Sequence, residues 1–131
     1  DGEAILPGSI YIAPGGHHVR VASRDGAAVI AIDDGPQINF CKPSVDPLLS
    51  SAAQVWGPKA LALILTGMGS DGLAGARELV AAGGHVVAQD EATSVVYGMP
   101  GQVAHAGLCS AVLPLPDSAP RLTRLFTGER A

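Results

Sequence analysis

The sequence predicts an α/β fold: a doubly wound, mostly parallel sheet with flanking helices and an antiparallel β-hairpin. Two patterns indicate this. In the second half of the chain, apolar runs of strand length alternate with helical patterns, which implies right-handed crossovers in a layered sheet. In the first half, two runs of strand-like residues flank the turn at 24–26, which is typical of a hairpin with one solvated face. No repeat, low-complexity tract or linker interrupts the 131 residues, which favours one domain.

The first half of the chain contains a short strand, the hairpin, a loop and a helix. Residues 10–13 (IYIA) predict the strand, because the Pro-Gly-Gly run that follows stops it. After the hairpin, glycine and prolines hold residues 34–43 in an irregular loop. Ser44 is predicted to cap a helix that has Asp46 and Pro47 in its first turn, where both are favoured, and the Gly-Pro pair at 57–58 ends it.

The second half is built around apolar strands. Residues 59–66 form a nearly continuous apolar run, as expected of a parallel strand that is covered on both faces. A helix follows from about Gly72, and the glycine pair at 83–84 ends it. The pattern then predicts a strand at 85–89, a short helix that starts near Pro100, a strand at 110–115 and a terminal helix at 118–126.

Composition excludes several classes of protein. The chain is 47% hydrophobic and 15% charged, which is too apolar for disorder. A net charge of −4 argues against nucleic acid or an anionic membrane surface as the main partner. No apolar stretch has the length of a membrane span, and the first residues lack the pattern of a signal peptide. Cys41 and Cys109 form no C-x-x-C pair and suit a reducing compartment, so we expect a cytoplasmic protein without direct membrane insertion.

The stretch LALILTGMGSDGLAG, residues 61–75, contains the most informative motif. Strand, G-x-G-x-x-G and helix together form the fingerprint of a dinucleotide-binding loop, and Asp90 or Glu91 would suit a ribose hydroxyl. Asp71 argues against that interpretation, because it would place a carboxylate beside the bound pyrophosphate. The mid-chain position of the motif argues against it as well.

Asp71 allows two other interpretations. It can cap the helix that begins at Gly72, by accepting backbone N–H bonds from the first turn. Alternatively, it is a carboxylate at the carboxyl end of a parallel strand, where open α/β sheets place their sites. An ionised, oriented carboxylate there is what a catalytic histidine needs as its partner. The two roles are compatible, and the residues alone leave both open.

Four segments carry a resemblance to a known family. YIAPGGHHV, DGPQINFCKPSVDPLL, TGMGSDGLAG and AQDEATSVVYGMPGQV resemble, in this order, the catalytic domain of the chemotaxis protein-glutamate methylesterase (CheB). The resemblance runs from about Ile10 to Phe126. It implies a serine hydrolase that uses a Ser-His-Asp triad and no cofactor. The implied substrates are glutamate methyl esters on the cytoplasmic domain of bacterial chemoreceptors, with glutamine deamidation as a second activity.

The resemblance also implies roles for individual residues. Asp71 matches the acid of the triad, and the backbone of Gly67, Met68 and Gly69 matches the segment that borders the oxyanion. Met99 and Pro100 match a block close to the active site and are candidate walls of the substrate cleft. Lys42 is a candidate clamp, weaker than the arginine that is common in the family because it lacks a planar fork. Asn39, Ser44 and Asp46 are weaker candidates.

Two motifs of the family do not occur in the sequence. The glycine-rich serine loop and the segment of the catalytic histidine are absent, so residues 1–131 are expected to be the C-terminal part of a single methylesterase catalytic domain, truncated at its N-terminal side. We expect this chain alone to be inactive. It should also expose an unpaired sheet edge and an apolar patch that invite self-association. The parent protein is expected to carry an upstream receiver domain.

No other residues indicate a substitute triad or a metal site. None of the serines lies in a G-x-S-x-G elbow, and Cys41 has no indicated histidine partner. His17, His18, His85 and His105 are expected to be structural or exposed. No His or Cys spacing is typical of a metal site. The alternative function is a non-catalytic module that binds a nucleotide through the glycine loop or docks on receptors.

Overall fold

The computed structural model describes residues 1–128. The elements, in chain order, are β1 (His18–Arg24), β2 (Ala27–Asp33), α1 (Val45–Trp56), a 3-10 turn (Gly57–Lys59), β3 (Leu61–Ile64), α2 (Leu73–Ala81), β4 (His85–Gln89), α3 (Gly98–His105), β5 (Cys109–Leu113) and α4 (Leu115–Phe126).

Two sheets organise the fold. Strands β3, β4 and β5 pair in this order and are parallel, and α2 and α3 make the two crossovers between them. Strands β1 and β2 form a separate antiparallel pair with His18 opposite Asp33. The predicted α/β class is confirmed, since the chain has a parallel sheet, flanking helices and an antiparallel hairpin.

The core lies between the parallel sheet and helices α1, α2 and α3. Its members are small and β-branched residues on β3 and β4 and aliphatic residues of the three helices: Leu49, Ala53, Ala62, Ile64, Ala76, Leu79, Val86, Ala88 and Val103. Helices α1 and α2 approach closely at Gly75, where a Cβ atom would lie 2.8 Å from Leu49 Cβ and 2.9 Å from the carbonyl oxygen of Asp46. This close approach brings the N-terminal ends of α1 and α2 side by side.

Two predictions about strands were wrong in part. Residues 10–13 form no strand, and Ile10 and Ile12 are 92% and 90% exposed. Their alternating pattern suits a strand, but a strand also needs partners for its backbone groups, and no backbone hydrogen bond joins residues 10–13 to another segment of residues 1–128. The cover of β3 is one-sided: Ala62 and Ile64 are buried, whereas Leu61 is 37% exposed. Among the described residues β3 pairs only with β4, so it is an edge strand of the parallel sheet. An exposed sheet edge was expected for this chain.

Over residues 1–128, no helix combines the length and the apolar character needed to cross a membrane.

Candidate active site

Asp71 lies after β3 and contacts the N-terminal end of α1. Its Oδ2 accepts the backbone N–H of Val45 at 2.8 Å, and its Oδ1 accepts the hydroxyl of Ser44 at 2.6 Å. The residue is 4% exposed. Helix α2 begins after Gly72 without a side-chain cap. The interpretation of Asp71 as the cap of its own helix is therefore wrong: it caps a helix that begins 26 residues earlier in the chain.

The surroundings of Asp71 keep it ionised. Burial raises the pKa of its carboxyl, but hydrogen bonds from Ser44, from the backbone N–H of Val45 and from Asn39 outweigh burial and hold the pKa below its ordinary value. The positive end of the α1 dipole acts in the same direction. The strand end, the helix end and the hydroxyl therefore fix both the charge and the direction of this carboxylate.

The two helix ends cap each other. Asp71 caps α1, and Asp46, in the first turn of α1, accepts the backbone N–H of Gly75 in the first turn of α2 at 2.7 Å. Ser44 occupies the N-cap position of α1, but its side chain makes no cap bond and donates to Asp71 instead. The predicted cap by the Ser44 hydroxyl is therefore wrong, because the carboxylate of Asp71 accepts the backbone N–H groups at the start of α1.

The glycine loop packs against the start of α3. Gly67 donates to the carbonyl oxygen of Val96 at 3.1 Å and accepts the N–H of Met99 at 2.8 Å. A Cβ atom on Gly67 would lie 2.6 Å from the sulfur of Met99, so a larger residue would have to displace that side chain. In residues 1–128 the N–H groups of Met68 and Gly69 donate no hydrogen bond. The side chain of Met68 is 80% exposed.

The other predicted cleft residues differ in their surroundings. Met99 is half-buried between Gly67 and the core. Pro100 is less than 2% exposed, so it supports α3 from inside and offers little surface to a substrate. Lys42 contacts Asp34, with its ammonium nitrogen 3.0 Å from the carboxylate and 3.3 Å from the carbonyl oxygen. The structure brings Met99 to the glycine loop and pairs Lys42 with Asp34.

His18, Ser44 and Asp71 lie together, but they do not form a working triad. The hydroxyl of Ser44 donates to Asp71 rather than to the imidazole. The Nδ1 of His18 accepts the backbone N–H of Ser44 at 3.1 Å, which leaves Nε2 as the protonated nitrogen that donates to the carbonyl oxygen of Pro36 at 2.8 Å. His18 is fully buried with both nitrogens engaged, so it is a structural histidine.

The remaining histidines have contacts elsewhere. His17 lies 3.3 Å from Asp34, the Nδ1 of His85 lies 2.9 Å from the hydroxyl of Ser110, and the ring of His105 stands edge-on to Tyr97 at 6.1 Å. In the part of the chain that the structure describes, no three His, Cys, Asp or Glu side chains lie together in a way that could hold a metal ion.

The groups that a dinucleotide would need are already engaged. The carboxylate of Asp46 holds the N–H of Gly75, where a pyrophosphate would bind the helix end. The Oδ1 of Asp90 accepts both the N–H and the hydroxyl of Thr93, at 3.0 and 2.6 Å, and so closes a local turn. The geometry of the loop therefore favours a site that uses the carboxylate of Asp71 over a site that binds the phosphates of a nucleotide.

The family model described as CheB methylesterase matches residues 1–122.

The chain belongs to the CheB methylesterase family.

Solved and curated members resemble it closely. The crystal structure of the Thermotoga maritima CheB methylesterase catalytic domain superposes with a TM-score of 0.92 at 41% identity, over 95% of this chain and 66% of that one. A Rhodopseudomonas palustris protein, "protein-glutamate methylesterase/protein-glutamine glutaminase of group 2 operon", is 63% identical over the whole chain. An Azospirillum brasilense protein-glutamate methylesterase/protein-glutamine glutaminase is 55% identical. The chain spans 34% and 33% of the lengths of these two CheB relatives.

One hydrogen bond of the site could not be predicted from the sequence. The N–H of Val45, which holds Oδ2 of Asp71, carries no side-chain signal, and its partner is 26 residues away. Only the packing of α1 beside α2 reveals that contact. Asn39 and Asp46, which ranked as weaker candidates, turn out to belong to the immediate surroundings of Asp71.

Proposed function

We propose that the protein containing this chain is a protein-glutamate methylesterase and glutamine deamidase that acts on the cytoplasmic domain of methylated chemoreceptors. In this proposal the chain is the C-terminal part of the single catalytic domain and supplies Asp71 as the triad acid. The names of the curated relatives support the activity, and their greater length leaves room for the rest of the catalytic domain and for an upstream receiver domain.

The arrangement around Asp71 is the observation that carries the proposal. A buried carboxylate with a lowered pKa stands three residues from Met68, whose N–H is unengaged in residues 1–128. Acyl transfer needs both parts: a fixed anion that orients an imidazole, and N–H groups that stabilise the oxyanion of the tetrahedral intermediate. Gly67 and Met99 hold the oxyanion segment in place.

The proposed reaction proceeds in two steps. The serine oxygen of the serine loop attacks the ester carbonyl while the imidazole removes its proton, and Asp71 stabilises the imidazolium. The bond to the methoxy group then breaks, methanol leaves with the proton from the imidazolium, and an acyl-enzyme remains. Water attacks the acyl-enzyme with the same general base and regenerates the serine and the glutamate carboxylate. With a glutamine substrate the leaving group is ammonia.

The chain by itself is proposed to be inactive. In the described residues no histidine contacts Asp71, and the one hydroxyl that contacts it, that of Ser44, is buried at 3% exposure. Without nucleophile and base, only the oxyanion segment and the binding surface remain.

Methanol release from a methylated chemoreceptor fragment tests the proposal. The samples are this chain, the chain extended upstream through a serine loop, the extended form with Asp71→Asn, and the extended form with Asp117→Asn as a control at an exposed acid. We expect activity in the extended form, unchanged activity in the control, and a loss of kcat of about 10⁴-fold for Asp71→Asn. Equal activity of the extended form and its Asp71→Asn variant would contradict the role of Asp71. Activity of the short chain would show that it contains its own nucleophile.

A further inference from the structure

Two carboxylates face a single side-chain amide at the paired helix ends. The Nδ2 atom of Asn39 lies 2.6 Å from Oδ2 of Asp46 and 3.1 Å from Oδ1 of Asp71. Both neighbours are acceptors, so the NH₂ end of the amide must be the end that faces them. Each of its two hydrogens serves one carboxylate.

The backbone conformation at Asn39 places this amide beside the two carboxylates. Asn39 and Phe40 are left-handed, with φ of 53° and 63°, and Ile38 and Cys41 exchange two backbone hydrogen bonds across them. Such a two-residue turn favours asparagine at its first position. The turn thus fixes the amide at a point where the like charges of Asp46 and Asp71 would otherwise face each other without a donor between them.

The donors divide unequally between the two oxygens of Asp71. Oδ1 accepts from the Ser44 hydroxyl at 2.6 Å and from Asn39 at 3.1 Å, with the N–H of Asp46 at 3.4 Å. Oδ2 accepts the N–H of Val45, and the thiol of Cys41 lies next to the same carboxylate. Since a carboxylate oxygen has two lone pairs, the three donors fill Oδ1, whereas Oδ2 has a single backbone donor. Oδ2 is therefore the oxygen that can receive an imidazole N–H.

We propose that Asn39 is a positioning residue of the methylesterase: its amide separates Asp46 from Asp71 and anchors Oδ1, so that Oδ2 is presented to the catalytic histidine. This inference rests on the proposed function for its catalytic consequence. Its effect on Asp71 itself is independent of that function. The other titratable neighbour is Cys41, whose pKa is raised by burial and by Asp71.

Two variants of the full-length methylesterase separate the amide from the backbone turn. Asn39→Gly keeps the left-handed backbone and removes the amide, whereas Asn39→Asp keeps the shape and replaces the donor with a third carboxylate. Asp25→Gly is the control, because Asp25 is an exposed residue with the same φ of 53° in the hairpin turn. We expect kcat to fall about tenfold in Asn39→Gly and further in Asn39→Asp, with KM for the methylated receptor nearly unchanged. The control should match the parent.

A second measurement reports on Asp71 without catalysis. Carbon-13 NMR titration of the Asp71 carboxyl should show a higher pKa in Asn39→Gly than in the parent, because a donor to the ionised form is gone. Adding Asp46→Asn to Asn39→Gly should lower that pKa and recover part of kcat, since it removes the facing charge. An unchanged pKa in Asn39→Gly, or a loss of activity that appears only in KM, would overturn the inference. If the parent protein releases no methanol, the proposed function fails while the titration still decides the role of Asn39.

Discussion

Replacing Asp71 by alanine should destabilise the fold as well as remove activity, because the carboxylate caps α1 from outside that helix. Four donors lose their acceptor: the N–H groups of Val45 and Asp46, the Ser44 hydroxyl and the Asn39 amide. The two side chains can turn toward the space that alanine leaves, but the N–H of Val45 is fixed by the helix.

The size of the effect follows from the loss of these four hydrogen bonds. Loss of an N-cap acceptor costs about 0.5–2 kcal/mol, and an orphaned buried donor costs about 1–3 kcal/mol. Because Ser44 and Asn39 partly recover their bonds, we expect the free energy of unfolding to fall by about 3 kcal/mol. That is a large share of the roughly 5–15 kcal/mol of a typical domain.

Urea unfolding followed by far-UV circular dichroism measures this change in the full-length protein. The matched control is Asp117→Ala, which removes an exposed acid from the first turn of α4, where only the helix dipole is affected. It should cost about 0.3–1 kcal/mol. If Asp71→Ala costs no more than Asp117→Ala, the carboxylate does not cap α1, and the geometric basis of the site is wrong.

The remaining predictions concern pH and two glycines. The folded-state pKa of Asp71 lies below the ordinary 3.8. The ionised carboxylate therefore stabilises the fold fully above about pH 4, and this stabilisation is lost as the pH falls through the folded-state pKa. In Asp71→Asn the free energy of unfolding should depend less on pH in this acid range, which urea unfolding at several pH values measures. Gly75→Ala should lower the free energy of unfolding, measured in urea, by about 1–3 kcal/mol, because the added Cβ would overlap α1. Gly15→Ala is the control and should leave that free energy nearly unchanged, because open space surrounds Gly15. Gly67→Ala should displace the flexible side chain of Met99 and lower kcat/KM with little change in Tm; an unchanged kcat/KM would remove Met99 from the cleft.

The last prediction concerns the exposed edge of the parallel sheet at β3. The apolar edge at β3 remains predicted to cause self-association of this chain, and sedimentation over a range of concentrations would measure it. A monomer at all concentrations, with β3 amides fully protected from hydrogen exchange, would contradict that prediction.

The sequence by itself determined the order and type of most elements. Patterns of apolar residues located the hairpin, α1, β3, α2, β4, β5 and α4. In each of these segments the pattern of apolar residues indicates which side chains are buried. The motif around Asp71 also drew attention to a carboxylate that the structure shows to be buried and hydrogen-bonded, and the resemblance named the family that the comparison confirmed. Residues 10–13 show the limit of this approach, since a pattern cannot supply the partner that a strand requires.

Only the tertiary structure decided what Asp71 contacts. The residues alone left capping of the helix that follows open as one role of Asp71, and the structure shows no side-chain cap on that helix. The close approach at Gly75 instead places the N-terminal end of α1 within reach, and Asp71 and Asp46 each cap the other's helix. Contacts between residues 25 to 32 positions apart depend on how two helices pack, which no local pattern records. The sequence therefore identifies the carboxylate, and the packing of α1 on α2 sets its charge and direction.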